Sequence, residues 1–242
     1  MSMLAIIDYR MGNIFSVFNA LKRVCNAPPR ILTVSEEGSG GGAGAADMPS
    51  ALASVTVSGE IHDFLEELEG IVLPGVGAFD DGIRNLRPFR AALLKAISEG
   101  VPFLGICLGM QLLFEESEES MFERDSSQRK NEGEKGLGIF RGKVVRLHAD
   151  VRVPHIGWNR LRIQRHSSLL EGISDGDFFY FAHSFFCVPA NDVVVATTEY
   201  GGEIPAVVSN DSETVFGVQF HPEKSSKKGL QIIKNFVKIC KK

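Results

Sequence analysis

Three short stretches of this chain carry residues that could do chemistry together. In PFLGICLGMQLLF (102–114), Gly105-Ile106-Cys107-Leu108-Gly109 sets a cysteine between two glycines. This is the G-x-nucleophile-x-G pattern, in which a strand ends, turns sharply and opens a helix. The glycines relieve crowding at the turn, and the thiol is pushed out where a helix N-terminus favours thiolate. The pentapeptide alone admits a second reading, a small buried hydrophobe, because free cysteines are among the most buried residues. A base has to decide between them. FHPEKS (220–225) offers His221 and, two residues on, Glu223, which an extended chain points to the same side. Pro222 between them fixes one φ angle, and Glu223 can hold the imidazole in its proton-accepting tautomer. An isolated HxE is more often surface polarity than catalysis. Directly after the apolar run TVFGVQF (214–220) it stands at the C-terminal end of a strand, where α/β sheets keep their sites. PGVGAF (74–79) is the third stretch. It reads as an ordinary βα turn by itself, but beside a nucleophile its glycine-rich backbone can aim N–H groups at a developing oxyanion, with the Leu108 N–H as a further donor.

Such residues need a scaffold, and the first half of the chain supplies an α/β rhythm. LAIID (4–8) reads as a strand leading to Asn13, a helix cap, after which Ile14, Val17, Phe18, Leu21 and Val24 share one helical face. RILTV (30–34), GIVLP (70–74) and VPFLGI (101–106) are further strands, with PFRAALLKAIS (88–98) as the helix before the last of them. Their nearly continuous apolar character predicts a mostly parallel sheet covered by helices on both faces. FRGKVVRL (140–147), VRVPHIGWNRLRI (151–163), DFFYFAHSFF (177–186), VVVATTE (193–199) and IPAVVS (204–209) predict a mixed or antiparallel extension of that sheet. TVFGVQF is a final strand and LQIIKNFVKI (230–239) a closing helix. The whole, 1–242, reads as one domain with two departures. EEGSGGGAGAADMPSA (36–51) reads as a flexible surface insertion, and EESEESMFERDSSQRKNEGEKG (115–136) as a mobile charged loop without chemistry.

Composition narrows the class. A chain of 242 residues can bury a core that needs no disulfide or metal staple. Its 4 cysteines show no CxxC spacing, so no metal or cofactor is expected, and Cys25, Cys187 and Cys240 read as structural thiols. No run approaches a membrane span or a signal peptide, which makes a cytoplasmic location the expectation. The net charge of −4 and the lack of a basic block argue against a nucleic-acid partner.

Taken together, PGVGAF, GICLGMQLLF and GVQFHPEKS resemble the class I (triad) glutamine amidotransferase family in order and separation over nearly the whole chain. VPHIGWN (153–159), YFAHSFF (180–186) and IIDYRMGNIFSV are similar to one branch of it, the glutaminase subunits of imidazole glycerol phosphate synthase. The resemblance implies a flavodoxin-like glutaminase fold and hydrolysis of L-glutamine to glutamate and ammonia. It implies Cys107 as nucleophile, His221 as general base and acid, and Glu223 as the partner that orients it. Gly75, Val76 and Gly77, with Leu108, would form the oxyanion site, and Gln111 with Ser184-Phe185 would hold glutamine. Lys224, His155, Trp158 and Asn13 would face a second subunit, a (β/α)₈-barrel cyclase forming a heterodimer and receiving the ammonia in histidine synthesis. Arg10 and Phe185-Phe186 depart from the usual pattern. A stand-alone γ-glutamyl hydrolase or another amidotransferase's glutaminase would share the triad but not VPHIGWN and YFAHSFF. A non-catalytic binding subunit of the same fold usually lacks one triad member, and all three are present here.

Overall fold

A computed structural model describes residues 3–33, 54–56, 68–119, 133–148 and 150–241. The segment 36–51 lies outside the described residues. The chain opens with β1 (Leu4–Asp8), α1 (Ile14–Lys22), β2 (Arg30–Thr33), β3 (Ser54–Thr56) and β4 (Gly70–Gly75). It continues through α2 (Phe79–Ser98), β5 (Phe103–Cys107), the short α3 (Leu108–Gln111), β6 (Glu116–Ser117) and β7 (Gly142–Arg146). Strands β8 (His155–Arg160), β9 (Arg162–Ile163), β10 (Phe178–His183), β11 (Phe185–Pro189), β12 (Val194–Glu199), β13 (Glu203–Ser209) and β14 (Val215–Val218) follow, and α4 (Ser226–Ile239) closes the fold.

The main sheet has nine strands in the order β3-β2-β1-β4-β5-β14-β13-β12-β9. It is parallel from β3 to β14, and β13, β12 and β9 extend it antiparallel. The period-2 alternation of the strands explains why they are apolar throughout. Ile6, Val72, Leu104 and Ile106 point to one face and pack with Val17, Phe18 and Leu21 of α1 and Ile232, Ile233 and Phe236 of α4. Ala5, Ile7, Ile71, Leu73 and Phe103 point to the other and pack under Leu86, Phe89 and Leu93 of α2. Each large apolar side chain buried in this way contributes roughly 1.5–3 kcal/mol, so a one-residue register slip would exchange the two faces at a large cost.

Three expectations change. The helix expected over 88–98 begins nine residues earlier, at Phe79, and holds Pro88 in its interior. Its N-terminus has no side-chain cap from Ala78. Instead, the Glu119 carboxylate accepts the Phe79 N–H at 2.7 Å, a contact across 40 residues that local spacing cannot reveal. The antiparallel half is also not one extension. DFFYFAHSFF breaks at Ser184 into β10, which pairs with β8 in a two-stranded sheet, and β11, which joins β7 and β6 in a three-stranded one. Finally, the described ends of the charged segment 115–136 are built into the fold: Glu116 and Ser117 pair with β7, and Glu119 is buried.

Candidate active site

β4, β5 and β14 lie side by side, and their C-terminal ends carry the three stretches singled out above. β5 ends at Cys107, whose φ of 54° and ψ of −107° place it in left-handed territory that costs a non-glycine residue roughly 1–3 kcal/mol. The flanking glycines make this turn possible. A Cβ on Gly109 would run into the Leu73 carbonyl, and one on Gly105 into the Gly109 backbone. The helix that follows is a single turn, Leu108–Gln111. It stops because the carbonyls of Leu112, Leu113 and Phe114 accept N–H groups from the returning segment Leu137–Phe140 instead of from a next helical turn. The thiol therefore meets the free N–H groups of one turn, not the field of a long helix.

Register brings the base. Val218 pairs with Ile106, so the chain beyond β14 runs past Cys107, and the Gln219 amide nitrogen lies 3.7 Å from the Cys107 sulfur. His221 is fixed at its backbone, its N–H donating to the Tyr180 carbonyl at 2.9 Å and its carbonyl accepting from the Ser225 hydroxyl at 2.6 Å. Its Nδ1 is 2.9 Å from Glu223 Oε1, which leaves Nε2 on the far side of the ring unclaimed by Glu223. The expected extended chain does not make the His221–Glu223 contact: Pro222 starts a 3₁₀ turn over Pro222–Lys224, and that turn folds the carboxylate back. Burial opposes a charge on His221, but the interactions with Cys107 and Glu223 outweigh it and push the imidazole up to about 10. Glu223 Oε2 is buried with no hydrogen-bond partner among the described residues.

Cys107 opens onto a cavity of about 600 Å³, within the roughly 300–1,000 Å³ typical of small-molecule sites. Val76, Gly77, Leu108, Gln111, Ser184 and Phe185 line it, as expected for residues grouped around a nucleophile. Gly77, at φ 109°, uses a conformation open chiefly to glycine. Gly75 pairs with Cys107 across β4 and β5 but lies behind the cavity wall, against the buried Tyr9 hydroxyl.

Residues 50–240 match the family model for class-I glutamine amidotransferases. Over 236 residues the chain is 42% identical to the imidazole glycerol phosphate synthase subunit HisH of Natronomonas pharaonis, covering 97% of this chain and 94% of that one. This chain belongs to the HisH family of class-I glutamine amidotransferases. The HisH of Methanothermobacter thermautotrophicus is 41% identical over 239 residues, covering 99% of this chain and all of its own. Among solved structures, PurLQS from Thermotoga maritima has the same fold, with a TM-score of 0.67 and 19% identity over 98% of each chain.

Within this amidotransferase fold some site residues escape local pattern. Glu119 and Arg146, of opposite charge, both line the cavity. Glu119 sits in a run of acidic residues that gives it no distinguishing spacing. Gln219 did leave a signal, as the only polar side chain in the apolar run VFGVQF. Gln111 donates to the Phe185 carbonyl at 2.9 Å and to Gln219 Oε1 at 3.2 Å, so its amide nitrogen is committed to the protein. Of the residues expected to face a partner, Lys224 and Asn13 are exposed, although the Asn13 side chain also caps α1 by accepting the Ser16 N–H. Trp158 is 52% exposed. His155 is buried, because β8 alternates and residue 155 falls on its inner face; its ring stacks between Phe181 and Tyr200. No described helix is long and apolar enough to cross a membrane.

Proposed function

We propose that this chain is the glutaminase subunit of an imidazole glycerol phosphate synthase, acting through a Cys107–His221–Glu223 triad. The observation that carries the reading is the strained Cys107 turn, coupled to an imidazole that Glu223 holds at 2.9 Å and open to a cavity of glutamine size. The raised basicity of His221 favours the imidazolium, the acid that the departing amine needs. The thiolate attacks the glutamine carboxamide carbon, and the oxyanion so formed is held by backbone N–H groups of Val76, Gly77 and Leu108. Each well-placed donor contributes roughly 3–4 kcal/mol. His221 gives its proton to the departing amine, and the C–N bond breaks to leave ammonia and a γ-glutamyl thioester. The now neutral imidazole takes a proton from water, whose oxygen attacks the thioester and releases glutamate and the thiolate. Glu119 and Arg146 suit the α-ammonium and α-carboxylate of the amino acid, with Gln111 and the Ser184-Phe185 segment beside them.

Ammonia needs a sheltered exit, since in neutral water it becomes ammonium and loses its lone pair. A second, small cavity lined by Asn13, Val17, Gly75, His221 and Lys224 leads from the imidazole toward the exposed Asn13 and Lys224. Val76 also lines that cavity and is exposed, Phe15 is exposed on α1, and β8 and β10 add the exposed Ile156, Trp158 and Phe178. An apolar surface of this kind supports docking of the cyclase barrel named above, in a soluble complex of histidine synthesis. The test is glutamate release by the chain alone, with the cyclase, and with cyclase plus its nucleotide. Turnover should rise with the liganded partner and fall on the order of 10⁴-fold in Cys107→Ala; normal turnover in that variant would exclude the assigned nucleophile.

A further inference from the structure

The inner face of β8 carries polar side chains that the triad chemistry leaves unused. Along the strand, Ile156, Trp158 and Arg160 are exposed, while His155, Gly157 and Asn159 turn inward. His155 sits directly opposite His183 in the β8–β10 pairing. Asn159 Nδ2 is 3.4 Å from His155 Nε2, His155 Nδ1 is 3.1 Å from His183 Nε2, and His183 Nδ1 is 2.9 Å from the Phe185 carbonyl oxygen.

The polarity of this line is set at one end. A carbonyl only accepts, so His183 carries its proton on Nδ1 and accepts at Nε2. His155 must then donate from Nδ1 and accept at Nε2 from the Asn159 amide. The Asn159 orientation agrees, because its Oδ1 accepts the Arg160 N–H at 2.8 Å while Nδ2 also donates to the Glu199 carbonyl at 2.9 Å. Burial keeps both rings neutral, lowering His155 to about 4 and His183, which the neighbouring His155 lowers further, to about 3. Stacking between Tyr200 and Phe181, with ring centroids 3.9 Å and 5.0 Å away, fixes the His155 plane.

The line ends where the cavity begins. The Phe185 carbonyl that receives His183 also receives Gln111 Nε2 at 2.9 Å, and Gln111 continues through Gln219 to the Cys107 sulfur. Ser184 and Phe185 themselves line the cavity. We propose that His155 and His183 are positioning residues for substrate: a hydrogen-bond line of fixed polarity from β8 that sets the Phe185 carbonyl, and through it the Ser184-Phe185 segment and Gln111, relative to Cys107. The inference rests on the reading that this cavity binds glutamine. It places the effect of both histidines on substrate affinity and not on the nucleophilicity of the thiol.

Amide substitutions separate the two ends of the His183 ring. The Asn amide nitrogen takes the place of Nδ1 and can still donate to the Phe185 carbonyl, whereas Gln reaches the position of Nε2 and cannot. In the full-length chain, labelling of Cys107 by the glutamine analogue 6-diazo-5-oxo-L-norleucine reads the substrate site, and labelling by iodoacetamide reads the thiol itself. His183→Gln should raise the half-saturating analogue concentration about ten-fold, the factor that the loss of one neutral hydrogen bond brings, with the iodoacetamide rate unchanged. His183→Asn should restore most of the affinity. His155→Phe, which keeps the stacked ring and removes the donor, should match His183→Gln and tests the line one link upstream, independently of how His183→Gln folds. Equal behaviour of the Asn and Gln variants, or a parallel fall in iodoacetamide labelling, overturns the proposal. Wild-type protein that reacts with iodoacetamide and never with the analogue overturns the glutamine reading itself, and the positioning role with it.

Discussion

Cys107 and His221 are electrostatically coupled, and the buried imidazole owes its charge first to that sulfur and then to Glu223. Burial acts in the opposite sense, disfavouring the imidazolium. Removing the sulfur therefore has a signed consequence: in Cys107→Ala the His221 titration moves down, because burial stays while the leading opposing contribution is lost. NMR titration of the imidazole nitrogens checks this, and an unchanged titration would mean that Glu223 alone holds the charge. Cys107, His221 and Glu223 were legible as candidates because each sits in a local pattern, but the His221–Glu223 contact comes from a 3₁₀ turn and not from the extended chain that the pattern implied. Glu119 was not legible, since its partner, the Phe79 N–H, is 40 residues away in the chain. The same limit applies to His155, whose side of β8 is decided by pairing with β10 and not by residue type.

Among the elements, the strand–turn–helix around Cys107 depends on atoms that two glycines lack. A Cβ at Gly109 meets a main-chain carbonyl, that of Leu73, which belongs to a central strand and cannot swing aside. Gly109→Ala should therefore destabilise the fold by about 1–3 kcal/mol or more, as overpacking does, and also distort the nucleophile. Gly100 makes a useful comparison, because its φ is +83° but nothing lies within 4 Å of an added Cβ. Gly100→Ala should cost only the conformational penalty, about 1–2 kcal/mol, with labelling of Cys107 unaffected. Urea midpoints for both variants give the comparison, and equal losses with equal labelling would show that the Leu73 contact relaxes freely. The sequence pattern predicted this element's start but not its length. α3 ends after one turn because a returning segment takes its neighbours' carbonyls, a competition visible only in three dimensions. Apolar periodicity likewise marked where α2 packs, while its true start lies in the contact with Glu119.

Across the whole molecule, the parallel half could be read from sequence because strands covered on both faces are apolar throughout, and few architectures satisfy that. The antiparallel half resisted, since alternation says that a strand has two unlike faces and nothing about which strand pairs with it. DFFYFAHSFF accordingly divides between two small sheets. The β8–β10 pair so formed buries two histidines, and this gives the fold an acid sensitivity of defined sign. Folded, His155 and His183 stay neutral down to about pH 4 and about pH 3, whereas in the unfolded chain each takes a proton near pH 6.5. Between pH 6.5 and about 4 the unfolded state binds more protons, so stability that is complete above pH 6.5 is lost as the pH falls through this window. His221 does not offset the loss. Its folded value is raised, so its contribution is full below pH 6.5 and changes only as the pH rises toward about 10. Asp177 and Glu213, held below the usual carboxylate range, begin to lose their contributions only as the pH falls through the unfolded carboxylate values, near 4.5 for Glu213 and 3.8 for Asp177. Calorimetric scans from pH 7 to pH 4.5 should thus show a falling Tm, each kcal/mol lost appearing as roughly 2–4 °C. The fall should be shallower in His155→Phe, which removes one of the two titrating groups and keeps the stacked ring. An identical slope in that variant would show that the buried pair is not what destabilises the protein in mild acid.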